Sequence, residues 1–295
     1  MILFSNNTSS RSNTDRYFSW GLRVLSLLAA SLLVLVLGFI LRESWMALTQ
    51  VGLSRFFTDS GWFPTEHSYE ITPMISGTLL AAWGSILLAA PLGILSAVFC
   101  HFYAPPILGL WYRRMIELLA GIPSVVFGFW GLVVLVPLIA AWQPPGPSLL
   151  GGILILTLMI IPTNMLIAHS SISQVPTTYI NNATALGLSR WAVIWRIVLP
   201  ASRVGLLTGI FLGLARAMGE TMAILMVCGN VIQYPSHIFD PIRTLTANIA
   251  LEMAYALDQH RSALFISGLL LMVLVIIFVS IAEVLRHKTP YVVAK

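Results

Sequence analysis

Charge is what this sequence has least of. Among its 295 residues, 11 are acidic and 16 basic, 9% of the chain, whereas 58% are hydrophobic. A soluble domain carries about a quarter charged residues, so a soluble globular fold is excluded and an integral membrane protein remains. Lysine is nearly missing: Lys288 and Lys295 are its only occurrences. No G-x-x-x-x-G-K-[ST] loop can therefore be drawn, and the chain is not expected to hold a nucleotide by itself. The two cysteines, Cys100 and Cys228, are too few and too far apart for a disulfide framework or a metal cluster. Six scattered histidines form no H-E-x-x-H pair, so no metal is expected. The formal charge of +5 invites a nucleic-acid reading. It loses, because the basic residues gather at the ends of apolar runs, where they set membrane topology.

What the chain does have is six apolar runs. Residues 1–20 are polar, with Arg11 and Arg16, and read as a short disordered cytoplasmic tail. Val24 to Leu41 is long enough to cross a bilayer, which takes about 20 residues. It ends on Arg42-Glu43-Ser44 with no small-residue cleavage pattern, so it reads as a retained first helix rather than a signal peptide. Residues 42–72 form a polar, aromatic-bearing loop. The second span runs from Pro73 to Phe102, with a break expected near Pro91-Leu92-Gly93. A short loop holding Arg113 and Arg114 leads to the third, Met115 to Trp142. After a Pro/Gly turn at 143–148 come the fourth span, Leu149 to Ala168, and the fifth, Val204 to Cys228. A polar segment, 229–262, precedes the sixth, Ala263 to Leu285. The fold class is thus all-α membrane protein with six transmembrane helices. It divides into a tail (1–20), a first helix with its outer loop (21–72), a transmembrane domain (73–285) and a second tail (286–295). With the N-terminus inside, only Arg42, Arg55, Arg243 and Arg261 fall outside, and Arg216 stays within the membrane. All other basic residues fall inside, so both termini are cytoplasmic.

Two stretches carry chemistry. From Ser170 to Arg203 the cytoplasmic side holds a patterned segment. Pro176-Thr177-Thr178 is a helix start signal, Gly187 breaks the run, and Trp191, Val193, Ile194, Ile197 and Val198 make an apolar stripe that Leu199-Pro200 closes. A helix, a glycine turn and a second helix form a knob suited to a groove on a partner. An amphipathic helix resting on the membrane surface fits the pattern equally well. In the fifth span, Arg216 and Glu220 stand four apart, neighbours on one helical face. Gly205, Gly209, Gly213, Ala217 and Thr221 form a stripe of small residues that lets another helix approach closely. A guanidinium matches tetrahedral oxyanions, and a carboxylate beside it accepts a hydrogen bond only from an anion that still carries a proton. The pair therefore suits hydrogen phosphate over sulfate. The alternative is an intrahelical ion pair whose members only neutralise each other.

The residues also resemble a known family. Ala183, then Gly187, then Ile197-Val198-Leu199-Pro200 is similar to the EAA loop of ABC-transporter permeases, with Asn181-Asn182 standing where that loop carries Glu-Ala. The run Gly213 to Ala223, with Gly229-Asn230, resembles phosphate-transport permeases of the PstC type, as does Ile116 to Leu132 with its Gly121-Ile122-Pro123-Ser124. Met222-Ala223 after Gly-Glu-Thr, and the Gly-Asn ending, favour that type over the sister PstA type. The likeness covers roughly residues 73–285. It implies a type I, MetI-like ABC importer permease of the bacterial inner membrane with a cytoplasmic coupling helix. Arg216 and Glu220 would lie in the substrate path, and Ala183, Gly187, Ile197, Leu199 and Pro200 would couple to an ATPase. A helix break at Gly121, Pro123 and Ser124 would lie near the path. Implied partners are a PstA-type permease, two PstB-type ATPase subunits that hold the ATP and magnesium, and an external phosphate-binding protein, all around a lipid bilayer. Permeases for sulfate or molybdate, and a membrane phosphate sensor that moves nothing, are the competing readings.

Overall fold

The computed structural model describes the backbone of residues 13–287 and the side chains of residues 17–284. Parts of both expected tails, 1–12 and 288–295, lie outside the described residues. Among the described residues, six helical stretches are long and apolar enough to cross a membrane: Tyr17–Gln50, Thr72–Tyr103, Ser124–Trp142, Leu149–Ser173, Arg190–Met218 and Asp258–Val284. In chain order, α1 is Asn13–Gln50, α2 Arg55–Thr58, β1 Trp62–Phe63, β2 Ser68–Tyr69, α3 Thr72–Val98, α4 Pro106–Ala120, α5 Ser124–Trp130 and α6 Val136–Trp142. Then follow α7 Leu149–Ser173, α8 Thr177–Ala185, α9 Arg190–Val193, α10 Leu199–Met218, α11 Met222–Val227, α12 Leu245–Glu252 and α13 Asp258–His287. Alternating passes put the β-hairpin and α12 at one end of the bundle and α8–α9 at the other, here the hairpin end and the knob end.

Small residues decide how the bundle packs, because lipid offers no hydrophobic drive for helices to associate. Helix α7 is the centre. Its Ser148 cap accepts from the Gly151 N–H, and Thr157 donates across to the Ser85 carbonyl of α3 as well as to Ile153. A Cβ on Gly93 of α3 would come within 2.8 Å of Asn164 Cβ on α7. On α10 the expected small-residue stripe does press on α7: Gly205 faces Ser171, Gly209 faces Ile167, and Gly213 faces Asn164 and Ile160. At the hairpin end α1 is tied to α13, the Ser262 hydroxyl accepting from Ala47 N–H and donating to the Glu43 carbonyl. Beneath the hairpin, Phe56, Trp62, Tyr69, Ile71 and Met74 form a buried cluster with Leu245 and Leu264.

Several expected boundaries move. Residues 13–20 belong to helix α1 and are helical rather than tail. No break occurs at Pro91: α3 runs through it. The proline faces outward on an exposed position while its buried neighbours Ala89, Ala90 and Gly93 pack inward, and packed neighbours hold a membrane helix through a missing N–H. Arg113 and Arg114 lie not on a loop but on α4, which starts at Pro106, where an absent N–H costs nothing, and runs through the buried Gly109 as far as Ala120. Leu199-Pro200 does not close the knob. Pro200 sits in the first turn of α10 and the helix continues from α9 through a π-helical turn, Ile194–Val198. Inside the polar segment 229–262 an unexpected helix, α12, begins on the Thr244 cap, whose hydroxyl accepts from Ala247 N–H.

Candidate functional site

The fifth span is where sequence and structure part most. Helix α10, which carries Arg216, ends at Met218 with Gly219 as its cap, and α11 starts only at Met222. Glu220 therefore stands in a break, not one turn further along the same helix. Glycine's poor helix propensity loosens the chain there. An outside hydroxyl completes the interruption: Thr246 of α12 donates to the Glu220 carbonyl at 2.8 Å. Arg216 is exposed and Glu220 half-buried. Among the described residues no ion pair joins them, so the simple intrahelical pair is not what this conformation contains.

The third span breaks where expected. Helix α4 ends at Ala120, Gly121 caps it, and α5 begins at Ser124 directly after Pro123. The Leu119 carbonyl, which Pro123 cannot serve, accepts from Ile122 N–H at 3.3 Å. Glu117 pairs with Arg113 at 2.9 Å on an exposed face. The segments beyond the two breaks touch: a Cβ on Gly128 of α5 would lie 2.8 Å from Ala223 Cα of α11. Outward from this seam, Leu118, Ile122, Val125, Val126, Phe129 and Met222 are exposed, and Arg216 is the cation among the exposed residues of α10 nearest the break.

At the knob end, α8 closes with paired bonds from Gly187 N–H to Thr184 O and from Leu188 N–H to Ala183 O, the Schellman geometry. Gly187 has φ +77° with open space around it, so conformation, not crowding, demands the glycine. Ala183 is buried with Val193, Ile194 and Val198, and Ile197 and Leu199 are half-buried against them. Pro200 is exposed. Ser189 caps α9 by accepting from Ala192 N–H. The tip projects Leu186, 81% exposed, and Trp191, 62% exposed.

A family model described as binding-protein-dependent transport system inner membrane component matches residues 89–289. The chain belongs to that family. In this permease the match runs from mid-α3 through α13, so it takes in both helix breaks and the knob. Over 243 residues the permease is 38% identical to the probable ABC transporter permease protein YqgH of Bacillus subtilis, covering 79% of this chain and 77% of the relative. It is 34% identical over 292 residues to the phosphate transport system permease protein PstC of Mesorhizobium japonicum, covering 92% and 89%. Its fold is similar to a chain of the bacterial alginate ABC transporter, solved in complex with an alginate pentasaccharide-bound periplasmic protein. The TM-score is 0.65 at 18% identity over 94% of this chain and 98% of that one. A chain of the inward-facing MetNI methionine ABC transporter gives 0.56 at 17% identity, over 75% and 94%. These structural likenesses carry the ABC-permease fold and nothing about substrate.

One polar centre of the permease was not foreseen from the sequence. At the hairpin end the buried Glu252 accepts from Arg243 Nη1 at 2.6 Å and from Trp62 Nε1 at 2.8 Å, and His260 Nε2 lies 2.8 Å from the same Oε2 as the tryptophan. An ionised carboxylate only accepts, so His260 carries its proton on Nε2. Arg243 also donates to Asn248 Oδ1 and the Asn230 carbonyl. The four side chains come from β1, the segment before α12, α12 and α13, residues 62 to 260, and no local spacing announces them. Nearby, Asp240 accepts from the N–H groups of Ser236 and His237, which hold its carboxyl below the usual range. Tyr234 donates to Glu70, which raises its phenol. Within the bundle, Asn164 is buried between Gly93 and Gly213 with neither amide atom paired.

Proposed function

We propose that this permease is the membrane-spanning subunit of an ATP-driven importer of inorganic phosphate, with Arg216 and Glu220 in the translocation path. The observation that carries the reading is an exposed arginine at the end of α10, beside a glycine break that holds an acidic residue, in a chain whose relatives are phosphate transport permeases. A guanidinium in this position offers a planar fork of donors to a tetrahedral oxyanion. The half-buried Glu220 favours an anion that can return a hydrogen bond, and so hydrogen phosphate over sulfate. An intramembrane charge is expensive to keep, which argues for use.

The permease pairs with a second, PstA-type permease, whose surface meets the exposed apolar face around α5 and α11. The knob, with Ala183, Gly187, Ile197, Leu199 and Pro200, docks on a PstB-type ATPase dimer, which holds the ATP and magnesium. A phosphate-binding protein delivers substrate at the hairpin end. The basic residues of the knob, Arg190, Arg196 and Arg203, support placing that end and both termini in the cytoplasm.

The test is phosphate and sulfate uptake by vesicles holding the assembled complex, for Arg216→Gln, Glu220→Gln and the double variant. Arg216→Gln abolishes import with or without the second change. Glu220→Gln retains some import and loses discrimination against sulfate, since an amide can donate to a fully ionised oxyanion. A double variant that imports phosphate near the unaltered rate overturns the reading. Phosphate uptake that sulfate or molybdate competes for equally would identify another oxyanion permease, and binding without ATP-dependent uptake a sensor.

A further inference from the structure

The break that sets Glu220 apart from α10 is held in part from outside the fifth span, by a chain of hydrogen bonds in the first turn of α12 that runs from Ala247 N–H through Thr244 and Thr246 to the Glu220 carbonyl, while a separate bond docks that turn on α3. Helix α12 docks at its N-terminus on α3, the Leu245 N–H donating to Thr78 Oγ1 at 3.0 Å, while Thr78 itself donates to Met74 O at 2.7 Å. Thr244 Oγ1 accepts from Ala247 N–H at 3.3 Å and lies 3.1 Å from Thr246 Oγ1. Each hydroxyl has one proton. Thr246 gives its own to the Glu220 carbonyl at 2.8 Å, so Thr244 must donate to Thr246. Every donor in the chain is thereby assigned, and it ends on the backbone of the one acidic residue in the break. Thr78, Thr244, Leu245 and Thr246 are all buried.

The contact has a specific structural consequence. In an unbroken helix the Glu220 carbonyl would accept from the N–H of residue 224, four positions on. The Thr246 hydroxyl takes that acceptor instead, from a helix whose other end is fixed by Glu252 to Arg243, Trp62 and His260. The Glu220 carboxylate therefore projects from a backbone held on two sides, its N–H donating to Ala217 O of α10 at 3.2 Å and its carbonyl accepting from α12.

We propose that Thr246 is a positioning residue for Glu220. Its hydroxyl sets where the carboxylate stands relative to Arg216, and so the discrimination between a protonated and a fully ionised oxyanion. The proposal rests on the reading of Glu220 as part of the substrate path. Thr246→Val keeps the shape and deletes the donor, and Thr246→Ser keeps the donor and trims a methyl.

The experiment measures phosphate uptake, with sulfate as competitor, in vesicles holding the assembled complex and normalised to the amount assembled. The variants are Thr246→Val, Thr246→Ser, Glu220→Gln, and Thr246→Val with Glu220→Gln. Loss of one buried hydrogen bond corresponds to about a fivefold change in an equilibrium. Thr246→Val is therefore expected to lower the phosphate-over-sulfate preference about fivefold, Thr246→Ser to leave it near the unaltered value, and the double variant to match Glu220→Gln alone. A merely structural threonine would lower the assembled amount in both backgrounds and leave the preference untouched. If Glu220→Gln shifts the preference and Thr246→Val does not, or if the two changes add, the positioning role is overturned. If Glu220→Gln leaves the preference unchanged, the substrate-path reading falls and this proposal with it. Should Thr246→Val assemble too poorly to assay, Thr246→Ala and Thr246→Cys take its place, with the thiol expected to fall between serine and alanine.

Discussion

Removing the charge of Glu252 is the most informative perturbation of the hairpin end. Its side chain is 9% exposed and that of Arg243 17%. Breaking a buried pair by removing one partner costs about 3–5 kcal/mol, because the other charge stays buried. Here Arg243 keeps two acceptors, Asn248 Oδ1 and the Asn230 carbonyl, which offset part of that penalty. In Glu252→Gln the amide oxygen can still accept from Arg243. Its NH2 group would then face the Trp62 Nε1 donor, whereas a neutral His260 can move its proton to Nδ1 and accept at Nε2, so one hydrogen bond to a charged group, about 1.5–3 kcal/mol, is also forfeited. A net loss of about 3 kcal/mol follows for Glu252→Gln, more for Glu252→Ala, and about 1.5–3 kcal/mol for Trp62→Phe, which deletes a single donor to the charged carboxylate. The assay is the denaturant midpoint of the purified protein, read alongside hydrogen exchange over residues 61–70 and 243–262. Exchange should rise in both segments together, since one carboxylate joins them. A Glu252→Gln protein with an unchanged midpoint and unchanged protection would refute the assignment of this network as the lock between hairpin, α12 and α13.

Gly213→Ala should cost about 1–3 kcal/mol by overpacking, because the new methyl would stand 2.8 Å from Asn164 Oδ1, 2.9 Å from Ile160 and 3.0 Å from Ile86. Gly209→Ala, facing only Ile167 at 3.0 Å, should cost less, and equal denaturation midpoints would contradict the packing argument. Gly187→Leu should forfeit about 1–2 kcal/mol at the α8 turn from its left-handed conformation and uncouple ATP hydrolysis from import, whereas Gly187→Asn should be mild; normal coupled uptake by Gly187→Leu would contradict the docking role. Maleimide should label the partly exposed Cys100 and spare the buried Cys228, with no oxidative crosslink between them; a band shift that reductant reverses would overturn the topology. Asp240, with its folded pKa depressed, contributes order to the 236–240 turn that is fully present above the unfolded value of about 3.9 and lost as pH falls through the lower folded value. Exchange in that turn should rise only under such acid conditions in the unaltered protein, and at all pH values in Asp240→Asn.

The six spans, the break at Gly121-Ile122-Pro123, the glycine turn of the knob and the small-residue stripe on α10 were legible in the sequence because each depends on local chemistry. Apolar length, a missing proline N–H, a glycine's φ and a four-residue period all act within one segment. The fate of prolines and glycines inside the spans was not local. Pro91 looked like a breaker and is carried through by the helix packed against its inner side. Gly219 lies inside what reads as one unbroken span and yet ends a helix, with a threonine 27 positions later in the chain (Gly219 to Thr246) donating to the next carbonyl. The Glu252 centre was equally invisible, its members drawn from four separate segments. The sequence by itself determined that this chain crosses a membrane six times and where it carries charge. Only the tertiary structure decided which backbone carbonyls stay helical, since a buried carbonyl takes the best donor within reach and neighbours in space need not be neighbours in the chain.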